Sequence, residues 1–89
     1  MSEGTFDKLK EQLLLEEWPN VYFFKFIVPN TPHALAQTTA LFDETAQIQF
    51  HESSNGKFVS VSVKEMMLDV DSIIAIYEKA QVIPGIISL

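Results

Sequence analysis

Between Gln47 and Lys64 the chain alternates apolar and polar residues with a period of two. Ile48 and Phe50 take one side of a strand over Gln47–Ser53, and Gln47, Gln49 and His51 take the other. The run Lys57–Lys64 alternates again, with Val59, Val61 and Val63 opposed to Phe58, Ser60, Ser62 and Lys64. Asn55-Gly56 lies between them, the pair that a two-residue hairpin turn prefers because both positions take positive φ. Folding the hairpin there pairs Phe50 with Val61, Ile48 with Val63, His51 with Ser60 and Gln49 with Ser62. The apolar side chains then share one face, and a slip of one residue would scatter them over both.

Other stretches follow different periods. Val21–Val28 is apolar on both sides apart from Lys25, the pattern of a central strand. Pro29-Asn30-Thr31-Pro32 ends it. Thr31 is placed to cap a helix with Pro32 at its first position, running to about Glu44 with Leu35, Thr38, Leu41 and Phe42 inward. Asp69 or Asp71 caps a second helix over Val70–Gln81, with Val70, Ile73, Ile74, Tyr77 and Ala80 as its buried stripe. A last strand is expected over Val82–Leu89, interrupted by Pro84-Gly85 and therefore at a sheet edge or bulged. Upstream, Phe6, Leu9 and Leu13 recur at helical spacing within Thr5–Glu17, and Pro19 stops that run.

The order is a short N-terminal helix followed by βαββαβ. This predicts an α+β, ferredoxin-like sandwich: a four-stranded antiparallel sheet with two helices on one face. Residues 1–89 are read as one domain and residues 5–17 as a helical extension of it. The second sheet face stays open. It is expected to show Gln47, Gln49, His51, Phe58, Ser60, Ser62 and Lys64, together with Phe23 and Lys25.

Composition narrows the function classes. The 89 residues are 47% hydrophobic and 20% charged, a globular mix. There is no cysteine, which removes disulfides, thiolate metal sites and a thiol nucleophile. The net charge is -6, and every cationic side chain is a lysine. Nucleic-acid binders use basic faces and arginine forks, so no nucleic-acid partner is expected. Phe58 stands where an RNA-recognition strand would carry an aromatic, but Ser60 and Ser62 occupy the further aromatic positions. No apolar run approaches membrane-spanning length and no leader is visible, so no membrane partner is expected and a cytoplasmic location is.

Several short segments resemble one family. Leu14-Leu15-Glu16 followed by Trp18-Pro19 is similar to the opening of the small bacterial YbeD-like proteins. Ser53-Ser54-Asn55-Gly56-Lys57-Phe58-Val59-Ser60-Val61 resembles their hairpin. Ile76-Tyr77-Glu78 and the ending with Pro84 resemble their second helix and last strand. The resemblance covers residues 13–89. It implies a ferredoxin-like fold comparable to the ACT regulatory domain, in a family of unknown function. ACT domains carry Asp/Asn-x-Pro-Gly-x-Leu after their first strand. Asn30-Thr31-Pro32-His33-Ala34-Leu35 matches except that His33 replaces the glycine, whose role is to let a ligand approach backbone N–H groups. The resemblance thus marks Asn30, Thr31, His33 and Leu35 as ligand-binding candidates for a small carboxylate or amino acid.

Catalytic chemistry finds little footing. His33 and His51 lie on different elements, and Glu52 points away from His51, so no metal site is expected. Acylphosphatases share the topology but hold phosphate with an arginine that this chain lacks. Glu11, Glu16 and Glu17 form an acidic helix face, read as solvated, with docking of a basic partner as the alternative. The reading is a non-enzymatic regulatory or interaction module without a cofactor, binding a small metabolite or a partner protein. Its interface candidates are Phe23, Lys25, Gln49, His51, Phe58 and Ser60, and a homodimer through that face or an edge strand is expected. The alternative is a small enzyme or cofactor-handling protein with its pocket on the same face.

Overall fold

The hairpin register is the one the alternation predicts. In the computed structural model, which describes residues 6–89, strand β2 (Gln47–Glu52) pairs antiparallel with β3 (Phe58–Met67). The pairs are Ile48 with Val63, Gln49 with Ser62, Phe50 with Val61 and His51 with Ser60. The turn differs from expectation. The Ser53 N–H donates to the Phe58 carbonyl, so the connection is the four residues from Ser54 to Lys57. Only Gly56 has positive φ, at 72°; Asn55 does not. The Asn55 carboxamide oxygen accepts from the Ser53 hydroxyl and from the Lys57 N–H, which stabilises the longer loop instead of the two-residue one.

The remaining elements are α1 (Asp7–Leu14), β1 (Asn20–Pro29), α2 (Pro32–Thr39), α3 (Val70–Ala80) and β4 (Ile87–Ser88). The four strands form one sheet in the order β2-β3-β1-β4, and every pairing is antiparallel. Strand β1 is interior, as its two-sided apolar character requires. The architecture is α+β and consistent with the ferredoxin-like expectation.

Strand parity places the core on one face. Phe24, Phe26 and Val28 of β1 and Val59, Val61 and Val63 of β3 are all buried. They meet Ala34 of α2 and Val70, Ile73, Tyr77 and Ala80 of α3 in one cluster, and Thr38 of α2 is buried as well. Tyr77 packs against Phe24 and Phe26 with ring centroids 5.4 and 5.9 Å away, and Phe42 lies 5.2 Å from Phe24. Phe50 points to this same face yet stays 54% exposed. It sits on β2 at the sheet edge, outside the area that the helices cover.

Three elements are shorter than the sequence suggests, each for a local reason. Helix α2 ends at Thr39 instead of continuing to Glu44. The Thr38 and Thr39 hydroxyls donate back to the Ala34 and Ala36 carbonyls, and the chain beyond closes in three-residue turns, with Leu41 bonding Thr38 and Phe42 bonding Thr39. Strand β4 is two residues long. Pro84 offers no N–H and Gly85 has φ of 78°, so the stretch before Ile87 winds through turns while Ile83 is buried. Helix α1 stops at Leu14, where the Trp18 indole N–H donates to the Leu13 carbonyl at 2.7 Å. The proposed start of that helix at Thr5 lies outside the described residues. Of the two cap candidates for α3, Asp69 is the one used. Its carboxylate accepts from the Ser72 hydroxyl and N–H, and these bonds hold its pKa below the ordinary value of 3.8.

Candidate functional site

Among the described residues the second face of the sheet carries no helix, and its side chains fall into rows set by the strand registers. One row is Gln47, Lys64 and Phe23; the next is Gln49, Ser62 and Lys25; the third is His51, Ser60 and Ile27, continued by Ile87. Ser62 is the smallest side chain at the centre of the second row. Longer neighbours surround it, so the surface dips. The result is a depression of about 310 Å³ lined by Phe23, Lys25, Gln47, Gln49, Ser62 and Lys64. That volume lies at the lower end of the range for small-ligand pockets, roughly 300–1,000 Å³.

The chemistry of the lining is one-sided. It offers two ammonium groups, two carboxamides, a hydroxyl and the exposed ring of Phe23, and it contains no carboxylate and no histidine. Among the described residues the one ion pair is Lys10 with Asp71 at 3.4 Å, between α1 and α3, so Lys25 and Lys64 have no carboxylate within that reach. Such a site can hold an anion by charge and hydrogen bonding while an apolar part stacks on Phe23.

The sequence candidates divide. Phe23, Lys25 and Gln49 line the depression. His51, Phe58 and Ser60 occupy the same face but lie toward the hairpin and do not line it. Gln47, Ser62 and Lys64 complete the lining without having been among the interface candidates. The signal for them was in the alternation of β2 and β3, but the β1 register, which puts Lys25 beside Ser62, is a long-range pairing.

The loop Asn30–Leu35 is organised for the fold. The Asn30 carboxamide N–H donates to the Gly56 carbonyl at 2.9 Å and to a Glu52 carboxylate oxygen at 3.4 Å, tying this loop to the β2–β3 connection. The Thr31 hydroxyl accepts from the Ala34 N–H at 3.1 Å as the cap of α2. Leu35 is half-buried against the core, and His33 is exposed at the surface of the helix start. Two of the three polar candidates, Asn30 and Thr31, therefore already have partners within the chain, and Glu52 adds a negative charge beside Asn30.

A second, smaller depression of about 200 Å³ opens between α3, the end of β3 and the segment after α2, with Asp43, Glu65, Leu41 and Ile76 among its walls. Partial burial, and secondarily the nearby Asp43 carboxylate, raise the pKa of Glu65 above its ordinary 4.5. Among the described residues no group of three or more His, Cys, Asp or Glu side chains is placed to hold a metal ion. No described helix is long and apolar enough to cross a membrane.

Fold and site together define a small α+β protein with one helix-covered sheet face and one open face that carries no acid among the described residues. The chain belongs to the family described as "Protein of unknown function (DUF493)", the YbeD family, whose model matches residues 15–89. No curated protein and no solved structure matches the chain significantly.

Proposed function

We propose that this protein is a ferredoxin-like, ACT-like regulatory module that acts by binding instead of catalysis, with the open sheet face as its contact surface. The strand order β2-β3-β1-β4, with α2 and α3 both contributing to the core on one side, supports the fold assignment. The observation that carries the functional reading is the depression over Ser62. It combines hydrogen-bond donors, two cations and an aromatic wall, a set suited to holding an anion with an apolar part. The amino-acid pocket of ACT domains is not the model for this site, because Asn30 and Thr31 are engaged in holding their own loop.

The test is an amide chemical-shift titration of the full chain with amino acids, small carboxylates and short amphipathic peptides of either charge. Saturable shifts at Phe23, Lys25, Gln49, Ser62 and Lys64 with any of these support the reading, and Ser62→Trp, which fills the depression, should abolish them without unfolding the protein. Shifts confined to Asn30–Leu35 would move the site to the start of α2. Chemical conversion of an added compound, lost in His51→Ala, would favour the enzyme alternative. If no probe of any charge shifts the open face, the reading falls.

A further inference from the structure

We infer that the open face docks an acidic, amphipathic segment of another protein; this rests on the reading of that face as the contact surface. The argument is the partition of charge over the fold. The chain is acidic, with 12 Asp and Glu against 6 Lys. Its described acids nevertheless avoid one surface. Asp7, Glu11, Glu16 and Glu17 lie on α1 and the segment after it, Asp43 and Glu44 precede β2, and Asp69, Asp71 and Glu78 belong to α3 and its cap. The two strand acids point to the core side: Glu52 pairs with Val59, and Glu65 follows the parity of the buried Val63 and Met67. By strand parity the open face carries Lys25 and Lys64 and, among the described residues, no acid. A surface with two lysines and no described acid favours an anionic partner over a cationic one.

The apolar content of the face extends past the depression. Phe23 is 68% exposed and Ile87 52% exposed, and Phe58 is exposed toward the hairpin. These side chains flank the polar second row, Phe23 in the first row, Ile87 in the third and Phe58 beyond it, and so reach farther than a metabolite filling about 310 Å³ over Ser62. Exposed apolar side chains spread this widely over one sheet face favour contact with a macromolecule. A second copy of this chain suits the face poorly. Isologous pairing would bring Lys25 and Lys64 of both copies into one interface with no acid from either face to meet them. The fitting occupant is a segment with carboxylates for Lys25 and Lys64 and apolar side chains for Phe23, Phe58 and Ile87.

The experiment uses the full chain and three blocked peptides of one sequence pattern: Glu with Leu and Phe, the same with Gln for Glu, and the same with Lys for Glu. Open-face amides should shift saturably with the Glu peptide and far less with the other two, and raising salt should weaken the binding. The double variant Lys25→Glu, Lys64→Glu should lower affinity at least about tenfold. Lys8→Glu on α1 should leave it unchanged, and both variants should keep the native circular-dichroism spectrum. Equal binding of the Gln peptide, or preference for the Lys peptide, overturns the inference and leaves the open face as a contact surface. A small aromatic carboxylate that binds the face as tightly as the Glu peptide, or sedimentation showing self-association lost on charge reversal, overturns it in favour of a metabolite or a second copy. Silence of the face toward every probe overturns both this inference and the reading beneath it.

Discussion

Asn30 shows how a residue suited to ligand binding can be committed to the fold. Its carboxamide bridges the β1–α2 loop to the β2–β3 connection through the Gly56 carbonyl, and its own backbone N–H donates to the Lys57 carbonyl at 2.9 Å. Asn30→Ala removes the side-chain tie and should cost about 1 kcal/mol in denaturant unfolding. It should leave peptide binding at the open face unchanged, which separates a structural role from a ligand-binding one. Tyr77 is a second case. Its hydroxyl shares a 3.0 Å hydrogen bond with that of Tyr22, inside the aromatic cluster. Burial, and then the Tyr22 contact, raise its pKa far above the ordinary 10.0. The fold therefore favours the protonated phenol. Its contribution to stability is complete below pH 10 and is lost as pH rises further. Denaturant melts on either side of that pH should show stability falling on the alkaline side, and Tyr77→Phe should flatten that fall.

At the scale of elements, register was legible and ends were not. The β2–β3 pairing follows from alternation because burying one face penalises any odd slip. The turn that joins those strands answers to local hydrogen bonds of Ser53 and Asn55, which the dipeptide Asn-Gly alone does not disclose. The two left-handed glycines test the distinction. A Cβ on Gly56 would meet nothing within 4 Å, so Gly56→Ala should cost only the backbone strain, about 1–2 kcal/mol. A Cβ on Gly85 would lie 2.8 Å from the Pro29 ring. Gly85→Ala should destabilise more, and hydrogen exchange should report faster opening where Ile87 pairs with Ile27. The difference would vanish if the turn before β4 could relax away from Pro29.

For the whole molecule, one layer of helices on one sheet means one core with little redundancy. Phe26 is fully buried at its centre, between Tyr77 and Phe42. Phe26→Ala should cost about 3–5 kcal/mol, against a total of roughly 5–15 kcal/mol for ordinary small domains. Urea unfolding should place this variant at or near global instability. A native-like midpoint would mean that the core closes over the cavity. The same one-sidedness creates the open face, since a sheet with both helices on one side leaves the other to solvent or to a partner.

Period and punctuation were enough to establish the element types, their order, the hairpin register and the core-facing valines, because each of these depends on neighbours near in the chain or on a two-residue repeat. The family likeness was legible in the same way, through short motifs in sequence order. Side-chain commitments across long separations were not legible. Asn30 reaching Gly56, Ser62 lying between Gln49 and Lys25, and Phe50 left uncovered at an edge all follow from which strands become neighbours and how far the helices extend. Those outcomes are set by packing and by the β1–β3 register, whose partners lie about forty residues apart along the chain. Such pairings become defined only when the whole core closes at once.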